Sequence, residues 1–330
     1  MKQFLQKKAK LVFLCMLVLL TCTACANPRG RDGKTLADQI IASEETTIDA
    51  SKINYKDISD KKLKKEIKKN IKDGQYTIQP TTFKDSMSKG WFEGLIVWPI
   101  AQIINLISSK TDAGVGIILT TLLIQMLVFV FTRKSQMSTQ RMQEISPEIQ
   151  KIQNKYKDKT DERSKLQMAQ EMQNLYQKYD IHPFGSMLIT FIQLPIMMGM
   201  YYATMRSVSV VSGSFMGISL AGTPLDGFKA LDIVYIAIYV LMVIFYIVSM
   251  KLPQWLKKWQ DKKDNVKVKK YAQEETNPMA NSMNMSMYFM TAMICIMYIS
   301  WPMAMSFYWL VSSVIRVCQS LILHQVMNKK

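Results

Sequence analysis

The chain has 330 residues, a formal net charge of +17 and 49% hydrophobic residues. Its charges sit in blocks and long stretches between the blocks have none, which excludes a soluble domain that mixes the two and points to a membrane protein. The lysines flank apolar runs and do not interleave with aromatics in a nucleic-acid motif, so no specific nucleic-acid partner is expected.

The chemistry-bearing residues are sparse. Of the five cysteines, Cys15, Cys22 and Cys25 lie in or just after the first apolar run, and Cys295 and Cys318 lie inside later ones. No pair has metal-ligand spacing, and the two histidines, His182 and His324, are far apart in sequence. No metal, no cofactor and no catalytic residue is expected.

The first segment is an address. Lys2, Lys7, Lys8 and Lys10 precede the apolar run Leu11–Leu20, and small residues follow, as in a secretory signal peptide over residues 1–24. The cysteine after a small residue resembles a bacterial lipoprotein cleavage site, which would leave Cys25 carrying a diacylglycerol thioether outside the cytoplasm; the alternative is an uncleaved transmembrane anchor with incidental cysteines. Cys22 stands where such sites usually have leucine. Residues 25–90 are polar, with a lysine-dense stretch over Lys61–Lys69, and read as a solvated helix or a flexible arm. Over 91–110, Trp91, Phe92, Leu95, Ile96, Trp98, Ile100, Ile103 and Ile104 recur near helical spacing, interrupted by Glu93 and Gln102. That predicts an amphipathic helix in the outer interface with its tryptophans at headgroup level.

A five-span core follows over 111–325. Apolar stretches at about 114–131, 183–205, 233–250, 283–299 and 302–323 are each long enough to cross ~30 Å of hydrocarbon. Residues 135–180 and 251–280 are rich in lysine and arginine, and the tail 326–330 ends in two lysines, whereas the other two connections are nearly uncharged. Basic loops stay inside, so the N-terminus is expected outside and the C-terminus in the cytoplasm. In 135–180, Met142, Ile145, Ile149, Ile152 and Tyr156 form one helical stripe, and Leu166, Ala169, Met172, Tyr176 and Tyr179 form a second. Residues 157–161 make a polar turn between them, and Ser146-Pro147-Glu148 reads as a helix restart capped by Ser146. The simplest product is an antiparallel helical hairpin. Trp255 and Trp259, four apart, are expected to anchor a short helix at the inner surface. The fold class is therefore an all-α membrane protein: a five-span helical bundle with a cytoplasmic hairpin and an outer interfacial helix.

The segment from Met142 to Ile152 with Tyr156, the run Leu175-Tyr176-Gln177-Lys178-Tyr179 leading to His182-Pro183, the run Phe191-Ile192-Gln193-Leu194-Pro195-Ile196, and the run from Trp301 to Trp309 together resemble the YidC/Oxa/Alb membrane protein insertases. The four motifs stand in order at fitting spacing, the resemblance covers roughly 90–325, and the lipoprotein-like signal with five spans resembles the Gram-positive branch. The resemblance implies a chaperone-like insertase, not an enzyme, that offers nascent membrane proteins a polar groove open to cytoplasm and lipid. Partners implied are nascent membrane proteins, membrane lipids, the Sec translocon and the ribosome. Polar groups lining such a groove lower the cost of moving a polar segment past hydrocarbon. Methionine-rich walls, as at Met279, Met283, Met285, Met287, Met290, Met293 and Met297, would repack against varied substrates or simply fill gaps.

The chain departs from the family at one place. The family's arginine in the middle of the first span aligns with Gln125, which can hydrogen-bond but carries no charge. The chain instead has Arg316 in its fifth span, seven residues beyond Trp309 and so on about the same helix face. Arg316 is expected either to supply the groove's positive charge or to snorkel toward headgroups. Gln193, Ser249, Trp309 and Gln319 are the other groove candidates, although Gln193 and Gln319 would equally serve helix–helix hydrogen bonds. Three other functions compete with this reading. A small transporter would show repeats, and none is seen. An intramembrane enzyme would need paired acids, a nucleophile or metal ligands. A specialised membrane-complex assembly factor is compatible with the missing first-span arginine.

Overall fold

The computed structural model describes residues 28–157, 159, 161–181, 185–263, 288–289 and 291–328. The predicted signal peptide, Cys25, His182, the methionines from 279 to 287 and Met290, and the last two lysines lie outside the described residues. In chain order the helices are α1 (Lys61–Asn70), α2 (Phe83–Lys89), α3 (Trp98–Ser108), α4 (Ala113–Glu144), α5 (Ser146–Tyr156), α6 (Glu162–Lys178), α7 (Gly185–Arg206), α8 (Val208–Ser212), α9 (Pro224–Ala230), α10 (Ile233–Lys263), α11 (291–298) and α12 (Met303–Asn328). Among the described residues, three helices are long and apolar enough to cross a membrane: Ala113–Met142, Ile233–Gln260 and Met303–Val326. At ~1.5 Å per residue each exceeds the ~30 Å hydrocarbon thickness, so α4 and α10 continue past the ends expected from the apolar stretches. Trp255 and Trp259 accordingly lie on the extension of α10, exposed, and not on a separate short helix.

The chain forms two compact units. The first draws on residues up to Leu123, Gln193–Tyr239 and Ser300–Tyr308; the second on Ile124–Ile192, Val240–Ile299 and Trp309 onward.

In the first unit, the segment read as a solvated or flexible arm is folded from residue 28. Strand β1 (Thr35–Leu36) pairs in parallel with β3 (Ile53–Asn54), and β2 (Thr46–Asp49) pairs antiparallel with β4 (Gln75–Ile78). Helix α1 joins β3 to β4. Asp60 caps it by accepting from the Lys62 and Leu63 backbone N–H groups. The core gathers Ala37, Ile40, Ala42, Ile48, Ile53, Ile58, Ile67 and Ile78 around Val208 and Val211 of α8. These isoleucines have no helical or strand period, so only long-range contact reveals them as a core. Ile67→Ala is expected to destabilise this layer by about 2–5 kcal/mol, as for other buried aliphatic truncations. Faster proteolytic cleavage within 28–108 in native membranes would register it, and an unchanged cleavage rate would contradict the assigned core.

The amphipathic segment is helical and is joined to its neighbours by polar contacts. A π-helical turn, Glu93–Val97, leads into α3. The Trp98 indole N–H donates to the Thr81 carbonyl at 2.9 Å and its ring packs edge-on against Phe83 at 5.5 Å, which ties Trp98 to the folded layer. Gln102 likewise turns inward, donating to the carbonyls of Ala42 and Thr81. Helix α7 runs close to this segment: a Cβ on Gly199 would lie 2.5 Å from the Ile96 Cγ2. Only glycine permits that approach.

In the second unit, α5 and α6 lie antiparallel. Lys155 pairs with Glu171, the Tyr156 hydroxyl donates to Glu171 at 2.9 Å, and the Tyr179 hydroxyl donates to Glu148. The bonds from Lys155 and Tyr156 hold the Glu171 carboxyl below its usual range. The apolar seam is Ile145, Leu175 and Ile181, flanked by Met142, Ile149, Ile152, Tyr176 and Tyr179. The first predicted stripe is correct and the second starts on the wrong face. Leu166 is 58% exposed while Leu175 is 8% exposed. Nine residues at 100° each place the two on opposite sides of the helix. The helix restart falls one residue earlier than expected, with Ile145 at the cap position in place of Ser146. Asp161 caps α6 by accepting from the Ser164 N–H at 2.8 Å.

Candidate functional site

The second unit carries a polar seam along two of its long helices. On α4, Gln125, Thr132, Gln136 and Thr139 recur at intervals of seven, four and three, so they share a face. Gln125 is 5% exposed and its Nε2 donates to the Ser312 Oγ of α12 at 3.3 Å. Thr132 donates to the Val128 carbonyl and in turn accepts from Gln136 Nε2 at 2.9 Å. The seam therefore satisfies itself, as buried polar groups must to avoid a desolvation cost of about 1–3 kcal/mol each.

On α12 the steps from Trp309 to Ser313 and from Ser313 to Arg316 are four and three, and Arg316 reaches both of the others. Arg316 Nη2 donates to the Ser313 Oγ at 2.9 Å, and the guanidinium carbon lies 5.6 Å from the Trp309 ring centroid. Trp309 is itself fixed by aromatic neighbours. Tyr298 of α11 stacks on it at 5.1 Å, and Tyr246 of α10 meets it edge-on at 6.3 Å. A guanidinium over an indole face gains about 0.5–2 kcal/mol, more where water is scarce. That offsets part of the ~2.5–3.5 kcal/mol that an arginine costs at mid-membrane.

The other predicted residues fall as follows. The Ser249 hydroxyl donates to the Tyr246 carbonyl of its own helix at 2.8 Å, one turn from the tyrosine that meets Trp309. Gln319 follows Arg316 by three residues on α12 and is partly buried. Gln193 belongs to the first unit, where its Nε2 donates to the Tyr308 hydroxyl at 3.0 Å. That bond joins two helices, the alternative role expected for Gln193. The structure thus gathers Gln125, Trp309 and Arg316 in the second unit and leaves Gln193 in the other. Ser312, Ser313, Tyr246 and Tyr298 were missed by sequence reading. The two serines were detectable, because they stand at the three- and four-residue steps between Trp309 and Arg316. The tyrosines were not, because their approach to Trp309 depends on how three helices pack.

The first unit holds a second buried polar centre. Arg206, at the end of α7, forms an ion pair with Glu93 of the π-helical turn, and both are buried. The Tyr202 ring lies 5.4 Å from the Arg206 guanidinium carbon. Beside it, Asn105 of α3 donates to the Ile41 carbonyl at 2.8 Å and accepts from the Ser207 hydroxyl and the Ser209 N–H. Glu93, read from sequence as an interruption of an apolar run, is thus what fixes that run to α7. Among the described residues no group of three or more His, Cys, Asp or Glu side chains has metal-binding geometry.

Long apolar helices, a polar seam inside them and one arginine held on an aromatic shelf define a helical membrane protein of the multi-pass type. A family model described as 60Kd inner membrane protein matches residues 105–330. The chain belongs to this family. It is 31% identical over 237 residues to the membrane protein insertase YidC 1 of Streptococcus pyogenes serotype M6, covering 72% of this chain and 75% of the relative. It is 29% identical over 257 residues to the membrane protein insertase YidC 1 of Listeria monocytogenes serotype 4b, covering 77% and 78%. It is 28% identical over 239 residues to the membrane protein insertase MisCA of Bacillus subtilis, covering 72% and 80%. The folded layer of residues 28–104 precedes the part matched by the family model.

Proposed function

We propose that the chain is a membrane protein insertase of the bacterial cytoplasmic membrane, and that the seam from Gln125 to Arg316 lines the path taken by polar parts of its substrates. The observation that carries this reading is Arg316: a cation within a long apolar helix, bonded to Ser313 and seated on Trp309. A charge kept there at a cost is suited to drawing an acidic segment into a polar lining while the apolar part of the substrate moves into lipid. Ser249 and Gln319 extend the lining, and Gln193 serves chiefly to join helices. No covalent intermediate is needed, so the protein acts as a chaperone and not as an enzyme. The N-terminus lies outside, tethered through a lipidated Cys25, and the basic segments and C-terminus lie in the cytoplasm. There the antiparallel α5–α6 pair is suited to meeting a ribosome or the Sec translocon.

The test is rescue. Cells depleted of their own insertase would express this chain, and insertion of a single-span substrate with a short acidic tail would be scored by protease protection. Restored protection is the expected result. Failure of well-expressed protein would favour a specialised assembly factor, a reading that the neutral Gln125–Ser312 pair in the first span makes the leading alternative.

A further inference from the structure

Helix α1 segregates its charge more strictly than solvation requires. At 100° per residue, Lys61, Lys62, Lys65, Lys68 and Lys69 fall within an arc of about 120°, and all five are exposed. Leu63 and Ile67 lie opposite and are consumed in the core, so no apolar face is left for another partner. The single acid of the helix, Glu66, stands outside the arc. Lys64 turns away, donating to the Lys56 carbonyl. The core beneath α1 includes Val208 and Val211, two and five residues beyond the end of α7. The lysine face therefore belongs to a layer fixed where a proposed span ends.

We propose that this face docks on the anionic phospholipid headgroups of the bilayer in which the long helices sit. The inference rests on those helices crossing the membrane. Clusters of four to eight basic residues on an amphipathic helix are suited to anionic lipid. Lysine, a point charge on a flexible stem, tolerates disordered phosphates, whereas specific protein interfaces favour arginine and are poor in lysine. With its apolar side buried, the helix lies on the surface by charge alone and does not insert.

The full chain, with Cys295 and Cys318 replaced and Cys25 kept for its lipid, would carry a fluorophore at Lys65→Cys and be reconstituted in two vesicle types. One is phosphatidylcholine; in the other, phosphatidylglycerol replaces part of it. A headgroup-attached quencher should quench the probe in the anionic vesicles only. Raised salt should abolish that quenching, and so should Lys61→Glu/Lys62→Glu/Lys68→Glu/Lys69→Glu. Equal quenching in both vesicle types would overturn the proposal. So would protection of the probe by soluble inorganic polyphosphate without any response to anionic lipid, which would indicate a polymer partner. A second probe at Ile322→Cys, exposed on α12, reports separately on the membrane assignment through an acyl-chain quencher. If that probe is quenched and the first is indifferent to lipid charge, docking fails while the spanning helices stand.

Discussion

Arg316→Leu is expected to lower insertion of an acidic-tailed substrate by at least about tenfold, since removing one partner of a poorly hydrated charge pair costs about 2–5 kcal/mol. Arg316→Lys should retain part of the activity, because it keeps the charge but loses the planar contact with Trp309 and the bond to Ser313. Substrates whose tails carry no acid should be affected much less. Gln125→Leu gives the contrast. It leaves the buried Ser312 hydroxyl without that neutral partner, at a cost of about 1–3 kcal/mol in stability, but removes no charge from the lining, and should reduce insertion only modestly. Protease-protection assays on the variants decide the matter. If Arg316→Leu inserts normally while Gln125→Leu abolishes insertion, Arg316 is a snorkelling residue and the cation assignment is wrong.

The second large effect concerns stability. Glu93→Ala leaves the Arg206 guanidinium buried without its counter-ion, and breaking a buried pair from one side costs about 3–5 kcal/mol. The solubilised variant should unfold or aggregate at a clearly lower temperature than the parent. Replacing both partners with apolar residues of similar volume, as in Glu93→Leu/Arg206→Met, should recover much of the loss, since the penalty belongs to the orphaned charge and not to the missing contact. A Glu93→Ala protein with parental thermal stability would show that water reaches Arg206 and that the pair does not hold α7 to the interfacial segment.

The membrane character of the chain was legible in its linear pattern. Uncharged stretches bounded by lysine blocks need only length and composition to be recognised, because hydrocarbon demands both along a single helix. The shared face of Trp309 and Arg316 was legible for the same reason: seven residues return a helix to nearly the same angle. The stripe from Met142 to Tyr156 follows that rule, while Leu166 shows its limit, since a step of three taken twice drifts off the face that Leu175 occupies.

What lies between helices was decided elsewhere. The isoleucines of residues 40–78 carry no period, and their core exists only because the short strands and α8 close over them. Glu93 looked like a flaw in an apolar run until Arg206, more than a hundred residues away, supplied its charge partner. Tyr298 and Tyr246 become a shelf for Trp309 only through the packing of α10, α11 and α12. Periodicity records which side of an element is buried; it holds no information on which distant element does the burying, and a buried charge or ring is stabilised or costly according to that distant partner alone.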